Sequence, residues 1–148
     1  MDDERRNVLG DAYHVPEACR FKLATDAAAR FTGGAAVLAA SPSCRLLSKS
    51  RRVASSDWAA HQTRAATAFW ADVQPWLDLA RRLRPLVLLF EETASMRSHH
   101  RATYDGFNAA LGELPYRWSH SKVNATELGA SHSRCRLYWA GRRLDSLG

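Results

Sequence analysis

The chain has 148 residues, enough for one packed domain and not for two. Hydrophobic residues make up 46% and charged residues 24%, which excludes collagen-like, coiled-coil and wholly disordered chains. Basic residues outnumber acidic ones by 21 to 15, for a net charge of +6, and all but three of the basic residues are arginine. The excess is spread along the chain. It suits a polyanionic partner such as nucleic acid, and an arginine-rich composition alone would also produce it.

No apolar run approaches the roughly 18–20 residues of a membrane span. The opening Met-Asp-Asp-Glu-Arg-Arg has none of the apolar character of a secretory leader. Cys19, Cys44 and Cys135 are far apart and form no CxxC pair, which argues against zinc and for reduced thiols inside a cell. The location expected is intracellular, and nuclear if the cell is eukaryotic.

In chain order, residues 5–15 form a short segment interrupted by Gly10. The stretch from Pro16 to Phe31, rich in alanine and opened by a proline, predicts a helix that Gly33 and Gly34 end. AAVLAA at 35–40 is too short for a helix and predicts a buried strand of a parallel sheet. Residues 41–56 are small, polar and basic, and predict a loop, with Ser56 or Asp57 placed to cap the next helix. A helical pattern runs over 58–84 through Trp58, Ala65, Phe69, Val73, Leu77 and Leu83, with Pro75 expected to kink or split it.

After Pro85, LVLLF is the strongest strand signal in the chain, and Glu91, Glu92 and a polar loop to about Arg101 come directly after it. His99 and His100 are expected in that loop, facing solvent. A helix is expected over 102–113, a strand in YRWSHSKVNA, a loop in TELGASHSR and a last strand in CRLYWAG. This alternation predicts an α/β domain with a partly parallel sheet. Ligands of such sheets sit beyond the carboxyl ends of the strands. The loops at 41–52 and 91–100 both leave such ends, so they converge if their strands are neighbours.

Three groups of residues carry candidate chemistry. Cys44 comes after a predicted strand and lies near Arg45, Lys49, Arg51 and Arg52, whose charge would lower its thiol pKa as a nucleophile requires. Glu91 and Glu92 stand at the end of an apolar strand, where desolvation and mutual repulsion raise a carboxyl pKa towards neutrality. Arg134 and Arg136, two apart on an extended segment, point to one side and suit a phosphate or a carboxylate. Each group also has a plainer reading, as an inert loop thiol, solvated strand-end charges and a solvated strand edge.

Taken together, SPSCRLLSKSRR, RPLVLLFEET and VNATELGASHSRCRLYWAG resemble the cytosine-5 DNA methyltransferase family. Pro42, Cys44, Leu47 and Ser48 are similar to its nucleophile loop, and Glu91 to the glutamate of its Glu-Asn-Val strand. Asn124, Ala125, Glu127, Gly129, Arg134, Arg136 and Gly141 are similar to its paired-arginine motif. RRNVLGDAYHVP resembles the family's last motif although it stands first here, as in a permuted or partial domain. Arg45, Glu92, His132 and Asp11 stand where the family has glutamine, asparagine, glutamine and asparagine.

The resemblance covers nearly all of residues 5–143. It implies one partial catalytic domain over 1–148, with 5–30 as the family's C-terminal motif and helix and 35–143 as its central motifs. The implied fold is α/β, a partial doubly wound, Rossmann-like sheet with flanking helices, and the implied cofactor is S-adenosylmethionine. The implied activity is methyl transfer to C5 of a cytosine flipped out of DNA. Cys44 would attack C6, Glu91 would hold or protonate N3, and Arg134 and Arg136 would grip the base oxygen and nearby phosphates. Gly10, Asp11, Ala12 and Val15 would contribute to the cofactor pocket, and no metal is implied. A glycine-rich Phe-x-Gly-x-Gly unit and a target-recognition region are not found in the sequence, so a complementary chain or domain is expected to supply them. The alternative is a non-catalytic nucleic-acid-binding remnant of such a domain.

Overall fold

A computed structural model of the chain describes residues 36–42, 45–48 and 57–146. The helix expected over 16–31 lies outside the described residues. The elements are β1 (Val37–Ala40), α1 (Trp58–Leu83), β2 (Val87–Thr93), α2 (Ser95–His99), α3 (Arg101–Gly112), β3 (Tyr116–Asn124) and β4 (Cys135–Arg143), with 3-10 turns at Ala125–Leu128 and Leu144–Ser146. The strands form one sheet in the order β1-β2-β4-β3. β1 and β2 run parallel, with Ala40 opposite Phe90. The other two pairings are antiparallel, with Glu91 opposite Tyr138 and Trp118 opposite Gly141.

α1 forms because its apolar residues recur every three or four positions. His61, Ala65, Phe69, Val73, Trp76, Leu77 and Ala80 are buried along one stripe. The helix continues through Pro75 without splitting, against the expectation from sequence. Burial of Val73, Trp76 and Leu77 on either side of the proline outweighs one lost backbone hydrogen bond. The helix stops at Arg84, whose φ of 45° is left-handed and whose N–H donates to the Ala80 carbonyl. Pro85 then forbids another turn.

The core lies on one face of the sheet. Strand alternation turns Leu88, Phe90, Leu137 and Trp139 towards the helices, where each is 2% exposed or less. Phe90, Phe107 and Trp139 pack as an aromatic cluster, with ring centroids 4.4 Å apart for Phe90–Phe107 and 5.3 Å for Phe107–Trp139. Two polar handles of this layer are satisfied, Trp139 Nε1 donating to Asn108 Oδ1 at 3.0 Å and the Tyr116 hydroxyl to the Pro85 carbonyl at 2.6 Å, whereas Trp76 Nε1 is buried without a partner. On the opposite face Val37, Leu89 and Tyr138 are each more than 40% exposed. The buried strand expected over 35–40 is therefore shorter and alternates exposed with half-buried residues. Its one strand neighbour among the described residues is β2.

Two further expectations are corrected. β2 extends through Glu91, Glu92 and Thr93, because these residues complete the ladder to Tyr138, Leu137 and Arg136. The segment after it is helical at Ser95–His99, and His100 is buried. His100 packs against Trp58 and His61 of the first turn of α1, at ring-centroid distances of 5.6 and 5.8 Å. An apolar ring on α1 thus takes up the histidine that a polar sequence context placed in solvent.

Candidate active site

The site grows from the carboxyl end of β2. Even-numbered residues of that strand face the helices, so Glu91 falls on the open face beside Leu89. β1 is the parallel neighbour, and the residue leaving it, Ser41, donates its hydroxyl to Glu91 Oε2. From β4, Arg136 Nε lies 2.5 Å from Glu91 Oε1. Both charged side chains are mostly buried, which spares their attraction from full screening by water. Arg136 also donates to the Cys135 carbonyl at 3.1 Å. Ser41, leaving β1, therefore meets the carboxyl end of β2, as the parallel pairing requires.

Arg134 is positioned by the connection between β3 and β4. Asn124 Oδ1 accepts from the backbone N–H of Thr126 at 3.4 Å and of Arg134 at 3.2 Å, tying both ends of the turn to one side chain. Glu127 returns the cap by accepting from the Asn124 N–H at 3.1 Å. Gly129 closes the turn at φ 85°, where a side chain would be strained. Three residues of the motif that flanks the arginines are thus the physical parts of one rigid turn. Gly141 has a different reason. A Cβ there would sit 2.7 Å from the Trp118 ring, so only glycine lets that indole cross β4.

Ser41, Glu91, Arg134, Arg136 and Tyr138 line one cavity of about 490 Å³, with Val123, Ala125 and Leu128 on its β3 side. Three of the four expected catalytic residues, Glu91, Arg134 and Arg136, are brought together here. The fourth, Cys44, lies outside the described residues, as do Gly10, Asp11, Ala12 and Val15 of the expected cofactor pocket. The turn at 45–48 is anchored nonetheless. Leu47 is 2% exposed, and its carbonyl accepts from the Ser95 hydroxyl.

Glu92 points the other way, under the helices, and is 1% exposed. Its Oε1 accepts from the Thr93 N–H at 2.6 Å and its Oε2 has no partner. Burial, opposed in part by that hydrogen bond and reinforced by the charge of Glu91, pushes its pKa up to about 7. Of the two adjacent carboxyls, the buried one is therefore the residue next to the site and not in it. Ser41, Leu128 and Tyr138 were missed at the sequence level. The signal for Tyr138 was available, since it stands two residues beyond Arg136 on a strand and shares its face.

The sequence matches no protein-family model and no curated protein. Solved structures do resemble the chain. The Entamoeba histolytica methyltransferase EhMeth superposes with a TM-score of 0.61 at 12% identity, over 96% of this chain and 42% of that one. The fold of this chain is similar to part of that methyltransferase's fold. The S. pombe Dnmt2 methyltransferase gives a TM-score of 0.47 at 16% identity, over 82% of this chain and 32% of that chain. The chain thus spans less than half the length of either structure. Among the described residues no helix is long and apolar enough to cross a membrane.

The described residues do not make a cradle for S-adenosylmethionine. The cavity is lined by a carboxylate already held by Ser41 and Arg136, by two guanidiniums and by apolar side chains, and no glycine lines it. A Cβ at Gly106 or Gly141 would meet Trp70 or Trp118, and at Gly112 or Gly129 it would meet open space. The donor set suits a planar polar ring and an anion.

Proposed function

We propose that this chain is the base-handling part of a cytosine-5 DNA methyltransferase domain, acting inside the cell. The observation that carries the reading is the cluster Ser41, Glu91 and Arg136, built from the ends of β1 and β2 and the start of β4. Ser41 stands three residues before Cys44, so the loop that carries the thiol begins at the carboxylate. An unpaired cytosine in the cavity would present N3 to Glu91 and its carbonyl oxygen to Arg136, with the flanking phosphates at Arg134. Addition of the Cys44 thiolate to C6 would make C5 nucleophilic, and Glu91 in its protonated form would donate to N3 and offset the charge that this addition develops. Once C5 has taken a methyl group, loss of the C5 proton and of the thiolate, with the N3 proton returned to Glu91, would restore the ring.

S-adenosylmethionine, where bound, would supply the methyl group, and the residues that hold it are assigned to the segment containing Gly10, Asp11, Ala12 and Val15 or to a complementary chain or domain. A second reading, a nucleic-acid-binding module without catalysis, uses the same arginines and needs no thiol.

Covalent trapping separates the two. DNA carrying 5-fluorocytosine is incubated with the protein and with Cys44→Ala, with and without S-adenosylmethionine. A denaturation-resistant adduct that requires Cys44 and the cofactor is expected of the enzyme. DNA binding without any adduct, from folded protein, is expected of the binding module.

A further inference from the structure

Two of the six exposed large hydrophobic residues among those described, Tyr138 and Leu128, stand in the same cavity as Glu91 and Arg134. Tyr138 is 45% exposed and lies directly opposite Glu91 in the β2–β4 ladder. Its hydroxyl has no hydrogen-bond partner among the described residues, so the ring is there as a surface. Leu128 is 80% exposed. It is held out by the turn that Asn124 and Glu127 cap and Gly129 closes, so little conformational freedom remains to be lost on contact. An exposed leucine on a rigid turn beside two guanidiniums gains nothing from water. It gains if a flat apolar ring covers it.

We propose that Tyr138 and Leu128 are the two apolar walls of the cavity and that they sandwich one unstacked nucleobase, with the adjoining phosphate on Arg134. This rests on the proposed base-handling role and adds to it the residues that grip the ring. It also names the preferred ligand as a strand whose base is already unpaired. A ring lying on Tyr138 meets Glu91 edge-on, because the two residues are cross-strand neighbours. A volume of about 490 Å³ accommodates one nucleotide unit. Stacking on an aromatic face is tolerant of base identity, so the walls supply affinity and the polar groups select the ring.

The test uses the full chain and three fluorescently labelled probes: single-stranded oligo(dC), an abasic strand of equal length and charge, and the oligo(dC)·oligo(dG) duplex. Anisotropy at low salt should give wild-type affinity for oligo(dC) about tenfold above either of the others. Tyr138→Ala and Leu128→Ala should each lose about fivefold or more on oligo(dC) and change little on the abasic strand, and Tyr138→Phe should keep wild-type behaviour. Arg134→Ala should weaken all three probes alike. Free deoxycytidine monophosphate should compete only at far higher concentration. Equal competition per nucleotide would assign the site to a mononucleotide and overturn the polymer assignment.

If wild type discriminates oligo(dC) from the abasic strand and both alanine variants still do, the walls are wrong and the base-handling reading survives. If wild type does not discriminate, both fall. Circular dichroism of each variant excludes loss of fold as the cause.

Discussion

Glu91 and Glu92 are consecutive in the chain and lie on opposite faces of the sheet. Glu91 is held in the cavity by Ser41 and Arg136, and Glu92 is buried beneath the helices with one oxygen unpartnered. The two-residue period of a strand makes this separation unavoidable once Leu88 and Phe90 are core residues. The consequence is one carboxylate that lines the cavity and one that weighs on stability.

Glu92 should make stability fall as pH rises. Its folded pKa is about 7 against an ordinary 4.5. Below pH 4.5 it is protonated in both states and costs nothing as a charge. Between 4.5 and 7 the folded protein retains a proton that the unfolded chain has released, so stability declines, and above 7 the full cost remains. Glu92→Gln should remove this decline and be more stable at pH 8 by on the order of 3 kcal/mol, read from urea unfolding at pH 5 and pH 8. Parallel pH profiles for wild type and variant would refute it.

His100 acts in the opposite sense at its own end of the molecule. Burial, then the nearby His61 and His99, lower its pKa below the ordinary 6.5. As pH falls through 6.5 the unfolded chain takes up a proton that the folded protein resists, so stability declines towards the folded pKa and then levels. His100→Phe keeps a ring against Trp58 and removes the titration. The wild type should lose more stability than this variant between pH 7 and pH 5. Between pH 4.5 and 6.5 the Glu92 and His100 effects oppose each other, so each is read as a difference between wild type and its own variant.

Gly141→Ala should destabilise by about 1–3 kcal/mol, because the new methyl group would meet the Trp118 ring at 2.7 Å. Trp118→Leu in the same chain should recover part of the loss, since it removes the obstructing ring. Equal thermal midpoints for wild type and Gly141→Ala would show that the indole moves aside freely.

The sequence by itself determined the order β1, α1, β2, α3, β3, β4, because helical and strand periods of apolar residues are local and each covers enough residues to be read, and it missed the short α2. Resemblance to a known family also grouped Glu91, Arg134 and Arg136, which line one cavity, with Asn124, Glu127 and Gly129 of the adjoining turn.

Three things were decided only in three dimensions. Pro75 stays inside α1 because the buried stripe around it is anchored on the sheet. His100 is buried because Trp58 and His61, far away in the chain, come to cover it. Glu91 and Tyr138 share a cavity because β4 enters between β2 and β3. Propensity and period act within a few residues, whereas strand order and the burial of a polar side chain depend on contacts between distant segments, and no local pattern encodes these.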